Sequence, residues 1–528
     1  MKPRRWAWAS VAAVVLVAAL IRWRLLEVPL DRDEGEYAYF GQLLLAGVPP
    51  YAAAYNLKLP GIYGAYALIL GALGQTTAAI RIGLIVVTSV TTVGLYALGS
   101  RLAGPVVGVL AAALFAAESL NPKLLGIAAY AEHFALVPVV GGALVLLNTA
   151  RDRRLGLLSV AGVLFGLGFL VRQSAILFIV AGFVHLLTAQ VEEAARAGRT
   201  RAAAVYLAGA VTPLALTCLA LTAAGTFRTF WFWTVQYAPY YQADLLTGWS
   251  NLVRTLTAVA PSSSVVLTLA LIGSVAIARD RLREGRLLVL LFAAASLLGA
   301  AVGLQFRPHY FLLTVPAVAV LAAVGPSALS GLVSRPSSAA LRRGLPMAVA
   351  LAAIAQPLYA SRAILFELSP PEVSRAIYGR NPFPESVEVA RYIREHSEAG
   401  DRVAVVGSEP QIYFYSSRRS ATGFIYTYPL MERQPYAAAM QQQMIREVES
   451  AGPRFLVFVS ATRSWVVKPD SDRTIFRWFE EYQRGFRRIG VVDIVSQQET
   501  IYRWADAALD YKPRSDVWLM VFERAGPR

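Results

Sequence analysis

Residues 6–40 read WAWASVAAVVLVAALIRWRLLEVPLDRDEGEYAYF. An apolar run long enough to cross a bilayer core of ~30 Å is followed, 10–15 residues beyond its end at Ile21, by four carboxylates, Asp31, Asp33, Glu34 and Glu36. The chain leaving the run reads RWRLLEVPLDRDE, with no small-residue cleavage site. The run is therefore read as an uncleaved first span, and the acids stand where the chain meets the membrane surface. Asp31 and Glu36 are expected to be solvated loop charges.

The same apolar pattern recurs outward from this stretch. Of 528 residues, 56% are hydrophobic and 16% charged, against roughly 25% charged in a soluble protein. Spans are expected at 6–22, 79–100, 104–120, 130–150, 155–171, 174–190, 202–224, 263–279, 287–304, 310–328 and 344–362. The fold class is thus an α-helical polytopic membrane protein of about 11 spans. The formal net charge of +16 is scattered between apolar runs. That suits loops facing anionic headgroups and gives no support to nucleic-acid binding. The single cysteine, Cys218, lies in an apolar run, so no disulfide can form within the chain.

Charge also sets orientation. Lys2, Arg4, Arg5, Arg101, Arg151, Arg153, Arg154, Arg196, Arg199, Arg201, Arg279, Arg281, Arg283, Arg286, Arg335, Arg342 and Arg343 fall in alternate loops. By the positive-inside rule those loops are cytoplasmic, and the acidic loop and everything beyond 362 lie outside. The segment GIYGAYALILGALG (61–74) has only 14 residues. Counting it as a span would carry the later basic clusters outside, so a helix lying in the interface is expected. Residues 34–46 are expected to form a second one, the two flanking a polar loop at 47–60.

Composition changes after 365. SPPEVSRAIYGRNPFPES reads as a linker, ESVEVARYIREHSEAG as a helix ending at Gly400, and DRVAVVG, RFLVFVS, RIGVVDIVS and VWLMVFERA as strands, with helices at 434–451 and 472–485. The alternation predicts a C-terminal α/β domain over 366–528, after a transmembrane domain over 1–365. The tail has no glycine-rich phosphate fingerprint. GSEPQIYFYSSRRSATGFIYTYP is rich in Tyr and Arg, a composition that suits sugar or phosphate contacts as well as ordinary packing.

Ionisable groups at membrane depth are costly and mark function by default. Asp33, Glu34, Lys58, Glu118, Lys123, Glu132, His133, Arg172, Arg307 and His309 all fall near the outer ends of the spans. Glu118 and Lys123 can equally cap a turn, and His185 and His396 read as structural and surface residues. Acids at this level can hold a metal or take a proton from a hydroxyl. Lys58, Arg172 and Arg307 can hold a lipid phosphate. No metal-protease, Walker or nucleophile-elbow motif is present, and four histidines give a His-based zinc site little support.

DRDEGEYAYFGQLLLAGVPPYAAAYNLKLPGIYGAYALI resembles the first outer loop of the family 39 glycosyltransferases. These have the GT-C fold and are similar to protein O-mannosyltransferases and to the aminoarabinose transferases that modify lipid A. The pieces that match are Asp33-Glu34, Tyr37-Ala38, Tyr51 and Lys58-Leu59-Pro60, then AAIRIG, YAEHFALVP with Glu132, GLGFLVRQSA with Arg172, and FRPHYFLLTVPAVAVLAA. The resemblance covers most of 1–330. It implies sugar transfer from a polyprenyl-phosphate sugar to a glycan, lipid or protein acceptor at the outer face of a bacterial inner membrane. Asp33 and Glu34 would be catalytic, with Asp33 the acid–base residue. Lys58, Arg172 and Arg307 would bind donor phosphate. Glu132, His133, Tyr37, Tyr51, Asn56, His309 and Tyr310 would form the acceptor, sugar or second acidic site. No cofactor is required outright. A divalent metal stays open, with Asp33 and Glu132 as the acids to hold it. Some relatives carry an acid just before the lysine, where this chain has Asn56-Leu57, which bears on acceptor or sugar specificity.

Two other classes compete. A polyprenyl-lipid or small-molecule transporter would want charges near the midplane and internal repeats, and the charges here gather at one face. An assembly or sensor protein would use the tail for partner binding.

Overall fold

The computed structural model describes residues 5–149, 154–188, 197–279, 285–332 and 339–525. Of the basic residues used for orientation, Lys2, Arg4, Arg151, Arg153, Arg196, Arg281, Arg283 and Arg335 lie outside the described residues.

The membrane half runs α1 (Arg5–Trp23), α2 (Arg32–Leu45), α3 (Gly61–Leu73), α4 (Thr77–Ala103), α5 (Pro105–Glu118), α6 (Ala131–Thr149), α7 (Leu155–Val171), α8 (Ile176–Thr188), α9 (Ala197–Ala223), α10 (Phe227–Trp231), α11 (Leu245–Arg279), α12 (Arg286–Ala301), α13 (Val315–Leu332) and α14 (Ala339–Ala360). Over the described residues, every expected span is helical. Among the described residues, seven helices are long and apolar enough to cross a membrane by length and composition. The expected spans at 104–120, 155–171, 174–190 and 344–362 form shorter apolar helices. At about 1.5 Å per residue, the 13 residues of α3 fall short of the core thickness, in keeping with an interfacial helix.

Local chemistry explains the boundaries. Thr76 accepts from the Ala79 N–H at 3.1 Å and starts α4. Gly104, at φ +92°, makes the turn into α5, with Pro105 in its first turn. The bundle closes through small residues. A Cβ on Gly162 would stand 2.1 Å from the Tyr206 carbonyl oxygen, and one on Gly166 2.3 Å from that of Ala210, so α7 and α9 touch backbone to backbone. Helix α11 is 35 residues long and begins well before the expected 263. Its Pro261 is accommodated by α14, where Gln356 donates to the Pro261 carbonyl at 3.0 Å and accepts from the Val265 N–H at 2.9 Å.

The connections sort to two ends. At one, Gly285 lies against Leu102 and Leu147, joining the ends of α4, α6 and α12. At the other, Arg22 donates to the Ser119 and Gly126 carbonyls at 2.6 and 2.9 Å, and Tyr66 donates to the Ala129 carbonyl at 2.7 Å. The tail sits on this second end.

The tail is an α/β unit. Strands β1 (Arg402–Val406), β2 (Arg419–Ser420), β3 (Phe455–Ser460), β4 (Phe486–Ile494), β5 (Thr500–Trp504) and β6 (Trp518–Arg524) form one sheet in the order β2-β1-β3-β6-β4-β5. The pairs β1–β2 and β1–β3 are parallel; β6 runs antiparallel to β3 and β4, and β4 to β5. The short β2 and β5 are additions to the sequence reading. The stretch read as a linker holds a helix, α15 (Pro370–Tyr378). Its first turn is fixed by Ser369, whose backbone N–H and hydroxyl both donate to Glu372. The following helix, α16 (Phe383–Glu395), stops short of Gly400.

One buried cluster unites the halves. Tyr37 and Phe40 of α2 and Ile62 and Tyr66 of α3 pack with Val403, Ile412 and Val457 of the tail. Helix α2 is thus not a lone helix on the membrane surface but is covered by α17 (Gln411–Ser416). A Cβ on Gly35 would come within 2.6 Å of Gln411, so only glycine permits this crossing.

Candidate active site

The start of α2 aims its first turn in several directions. Asp31 is the N-cap and accepts from the Glu34 N–H at 3.0 Å. Its other oxygen accepts from the Tyr130 hydroxyl. Glu34 is fully buried and accepts from both terminal nitrogens of Arg81 on α4 and from the Ala129 N–H at 2.6 Å. Arg32 reaches into the tail, donating to Glu409 at 2.6 Å, to the Ser408 carbonyl at 2.8 Å and to Asn381 at 2.9 Å. These bonds fix the helix in azimuth and leave Asp33 on the remaining face.

Asp33 is the most accessible of the four acids, with 27% of its side chain exposed; the other three are buried. Its Oδ1 accepts from Lys58 Nζ at 2.7 Å and from the Tyr426 hydroxyl at 3.1 Å. The same ammonium donates to Glu36 at 2.6 Å, and Tyr63 donates to the other Glu36 oxygen at 2.7 Å. Lys58 also lies over the Tyr37 ring, 4.7 Å from its centroid. Burial by itself would raise the Asp33 carboxyl, but Lys58 and His309 outweigh it and hold the group below the usual carboxylate range. Burial pushes Glu36 up to about 7 in spite of Lys58. Two carboxylates sharing one lysine are thereby driven apart, one kept ionised and the other able to carry a proton near neutrality.

The loop carrying Lys58 is pinned along its length. Tyr51 donates to the Lys58 carbonyl at 2.6 Å, Gln173 donates to the Leu57 carbonyl at 2.8 Å, and the Leu57 N–H donates to Asn56 at 2.7 Å. A second acid–base pair stands beside it. Arg172 Nε is 3.2 Å from Glu132, and its guanidinium lies 4.2 Å from the Tyr310 ring centroid. Neither oxygen of Glu132 accepts a hydrogen bond among the described residues. His309 stacks on Tyr130 at 4.2 Å. Arg307 is exposed and makes no side-chain hydrogen bond or ion pair among the described residues, yet it is within electrostatic reach of Asp33.

Asp33, Lys58, Tyr37, Glu132, Arg172, His309, Tyr310 and Arg307 therefore converge on one end of the bundle. Tyr51 and Asn56 support the lysine loop. Two other expected residues stand apart. Glu34 is enclosed by Arg81 and the α2 cap, and His133 bonds to the Gly126 carbonyl at 3.1 Å beside Arg22. Asp31 and Glu36, read as solvated, are buried. Glu36 had a usable signal, since it lies three residues from Asp33 on the same helical face. So did Arg81, a charge inside an apolar span. Tyr426 had none. For a metal, the donors do not fit. Asp33 is bonded to an ammonium and Glu132 is paired with a guanidinium, and among the described residues no three metal-ligating side chains come together.

Residues 60–218 match the family described as dolichyl-phosphate-mannose-protein mannosyltransferase. A search of curated protein sequences returns no match. Among solved structures, the chain resembles ArnT from Cupriavidus metallidurans bound to undecaprenyl phosphate, with TM-score 0.59, 14% identity, and 99% of this chain and 100% of that one covered. It also resembles the archaeal oligosaccharyltransferase AglB from Archaeoglobus fulgidus, in complex with an inhibitory peptide and a dolichol-phosphate, with TM-score 0.54, 12% identity, and 96% and 75% covered. The chain has the GT-C fold of these membrane enzymes. The family match begins two residues after Lys58 and contains Arg81, Glu132 and Arg172, so the Glu132–Arg172 pair lies inside it and Lys58 just before it.

Proposed function

We propose that this protein is a glycosyltransferase that moves a sugar from a polyprenyl-phosphate sugar to an acceptor hydroxyl at the outer face of a bacterial cytoplasmic membrane, the acceptor being a glycan, lipid or protein. The observation that carries the reading is Asp33, a partly exposed carboxylate kept ionised by a lysine at the end of the helical bundle where the tail sits. Its donor chemistry is that of the family matched and of the lipid phosphates bound by ArnT and AglB.

The acceptor hydroxyl attacks the anomeric carbon, the bond from that carbon to the phosphate oxygen breaks, and Asp33 takes the hydroxyl proton. The polyprenyl phosphate departs with the electron pair. An ammonium has three donors, and Asp33 and Glu36 occupy two on Lys58, leaving one for the phosphate. Arg307, exposed and without a side-chain hydrogen bond among the described residues, meets the developing charge, and Arg172 supports it. Phosphate is a good leaving group, so positioning carries much of the acceleration.

Purified protein offered a panel of polyprenyl-phosphate sugars should transfer one of them. Asp33→Asn should lower turnover by about 10²–10⁴-fold, the usual contribution of a general base, with donor binding little changed. Transfer unaffected by Asp33→Asn, or none from any donor, overturns the reading.

A further inference from the structure

Segment 420–428 leaves the sheet at β2 and crosses to the membrane half, where it is tied at both ends. Glu447, on α19 (Ala437–Ala451), accepts from the Thr422 hydroxyl at 2.7 Å and the Gly423 N–H at 2.9 Å. The same carboxylate accepts from the Tyr55 hydroxyl at 3.1 Å, and the Tyr55 N–H donates to the Gly423 carbonyl at 2.8 Å. At the far end Thr427 bonds to Ser408 at 2.9 Å and to the Ser464 carbonyl at 2.9 Å. Between these anchors Tyr426 is buried, its hydroxyl on Asp33 and its ring 5.7 Å from Lys58 Nζ. A tight turn alone would not demand this arrangement. A Cβ on Gly423 would stand 2.2 Å from the Tyr55 ring, so the chain gives up a side chain to let the two halves close.

We infer that the tail is a working part of the active site, and that Tyr426 is a positioning residue that orients the Asp33 carboxylate toward the acceptor hydroxyl. The inference rests on the proposed sugar transfer. Asp33 has two oxygens. Lys58 and Tyr426 both hold Oδ1, which turns the carboxylate so that Oδ2 faces the reacting proton. With Lys58 alone the group can pivot about a single flexible partner. The phenol adds a second, rigid bond from a different domain, and a carboxylate fixed by two bonds keeps its free lone pair aimed. Seating of the tail then governs turnover, through the Arg32–Glu409 contact and the Tyr55–Glu447 knot.

The test is a double-mutant cycle on the full chain, with donor KM, turnover and melting temperature measured for each form. Tyr426→Phe keeps the ring and removes the bond. It should lower turnover by about 10-fold or more, the usual worth of a hydrogen bond to a charged group, with donor KM unchanged and the protein still folded, its melting temperature only modestly lowered. In an Asp33→Asn background the same change should cost almost nothing further, because the carboxylate that the bond orients is gone. Gly423→Ala, which displaces the segment without touching a reacting group, should also lower turnover. Full activity in Tyr426→Phe together with loss in Asp33→Asn overturns this inference alone. Losses that multiply independently in the double variant do the same, since they place Tyr426 outside the Asp33 interaction. A fully active Asp33→Asn overturns the proposed transfer and this inference with it.

Discussion

Lys58 satisfies two carboxylates at once, at 2.7 and 2.6 Å, and the partners are unequal. Asp33 touches solvent; Glu36 is fully enclosed. The enclosed acid makes folding depend on pH. Its carboxyl is raised from about 4.5 to about 7 by burial, so between those values the folded protein holds a proton that the unfolded chain releases. Stability is then fully present below about pH 4.5 and declines as pH rises through 7. The difference is about 3 kcal/mol at about 1.4 kcal/mol per pH unit. Glu36→Gln cannot ionise and should flatten this part of the profile. Melting temperatures in detergent at pH 5 and pH 7.5 should differ less for Glu36→Gln than for the parent chain; equal differences would remove Glu36 as the cause. The parent's arrangement keeps a net negative partner against Lys58 above neutrality. That holds the lysine in place.

At the scale of the element, α2 is set by four consecutive residues with different duties. Asp31 caps it, Arg32 ties it to the tail, Asp33 is presented and Glu34 locks it to α4. The sequence shows that acids follow a span, which is enough to mark the place, but it does not show which acid faces which way. That follows from the helix beginning at Arg32 rather than near 34, and from an arginine on another helix claiming Glu34. The distinction is testable. Glu34→Ala leaves Arg81 buried without its carboxylate, and breaking such a pair costs about 3–5 kcal/mol. Lower melting temperature and yield are expected, with Glu34→Gln intermediate because its amide oxygen still accepts. A Glu34→Ala variant that melts normally but has lost turnover would return Glu34 to the chemistry. The linker reading failed for a similar local reason. Two prolines at 370 and 371 read as breakers, yet they occupy the first turn of α15, where proline costs nothing.

Across the whole molecule, the spans were legible because apolar length is a property of composition, and the α/β tail was legible because its strands are buried runs. The joining of the two was not. Tyr426 lies 393 residues from Asp33, and nothing in either local pattern announces the other. The shared end was nonetheless implied by charge. The expected outer loops hold Lys58, Glu132, Arg172 and Arg307, and in the structure Lys58 lies against Tyr426 of the tail. That assembly makes orientation a single question, because the tail and the site must lie on the same side. The basic residues described at the opposite end include Arg5, Arg101, Arg279 and Arg286, and an excess of Lys and Arg favours the cytoplasm. A reporter active only outside the cytoplasm, fused after residue 528, should therefore be active, and one active only inside should be silent. An active cytoplasmic reporter would reverse the molecule. It would place Asp33 and Lys58 at the inner leaflet, and the acceptor would then have to be a cytoplasmic molecule.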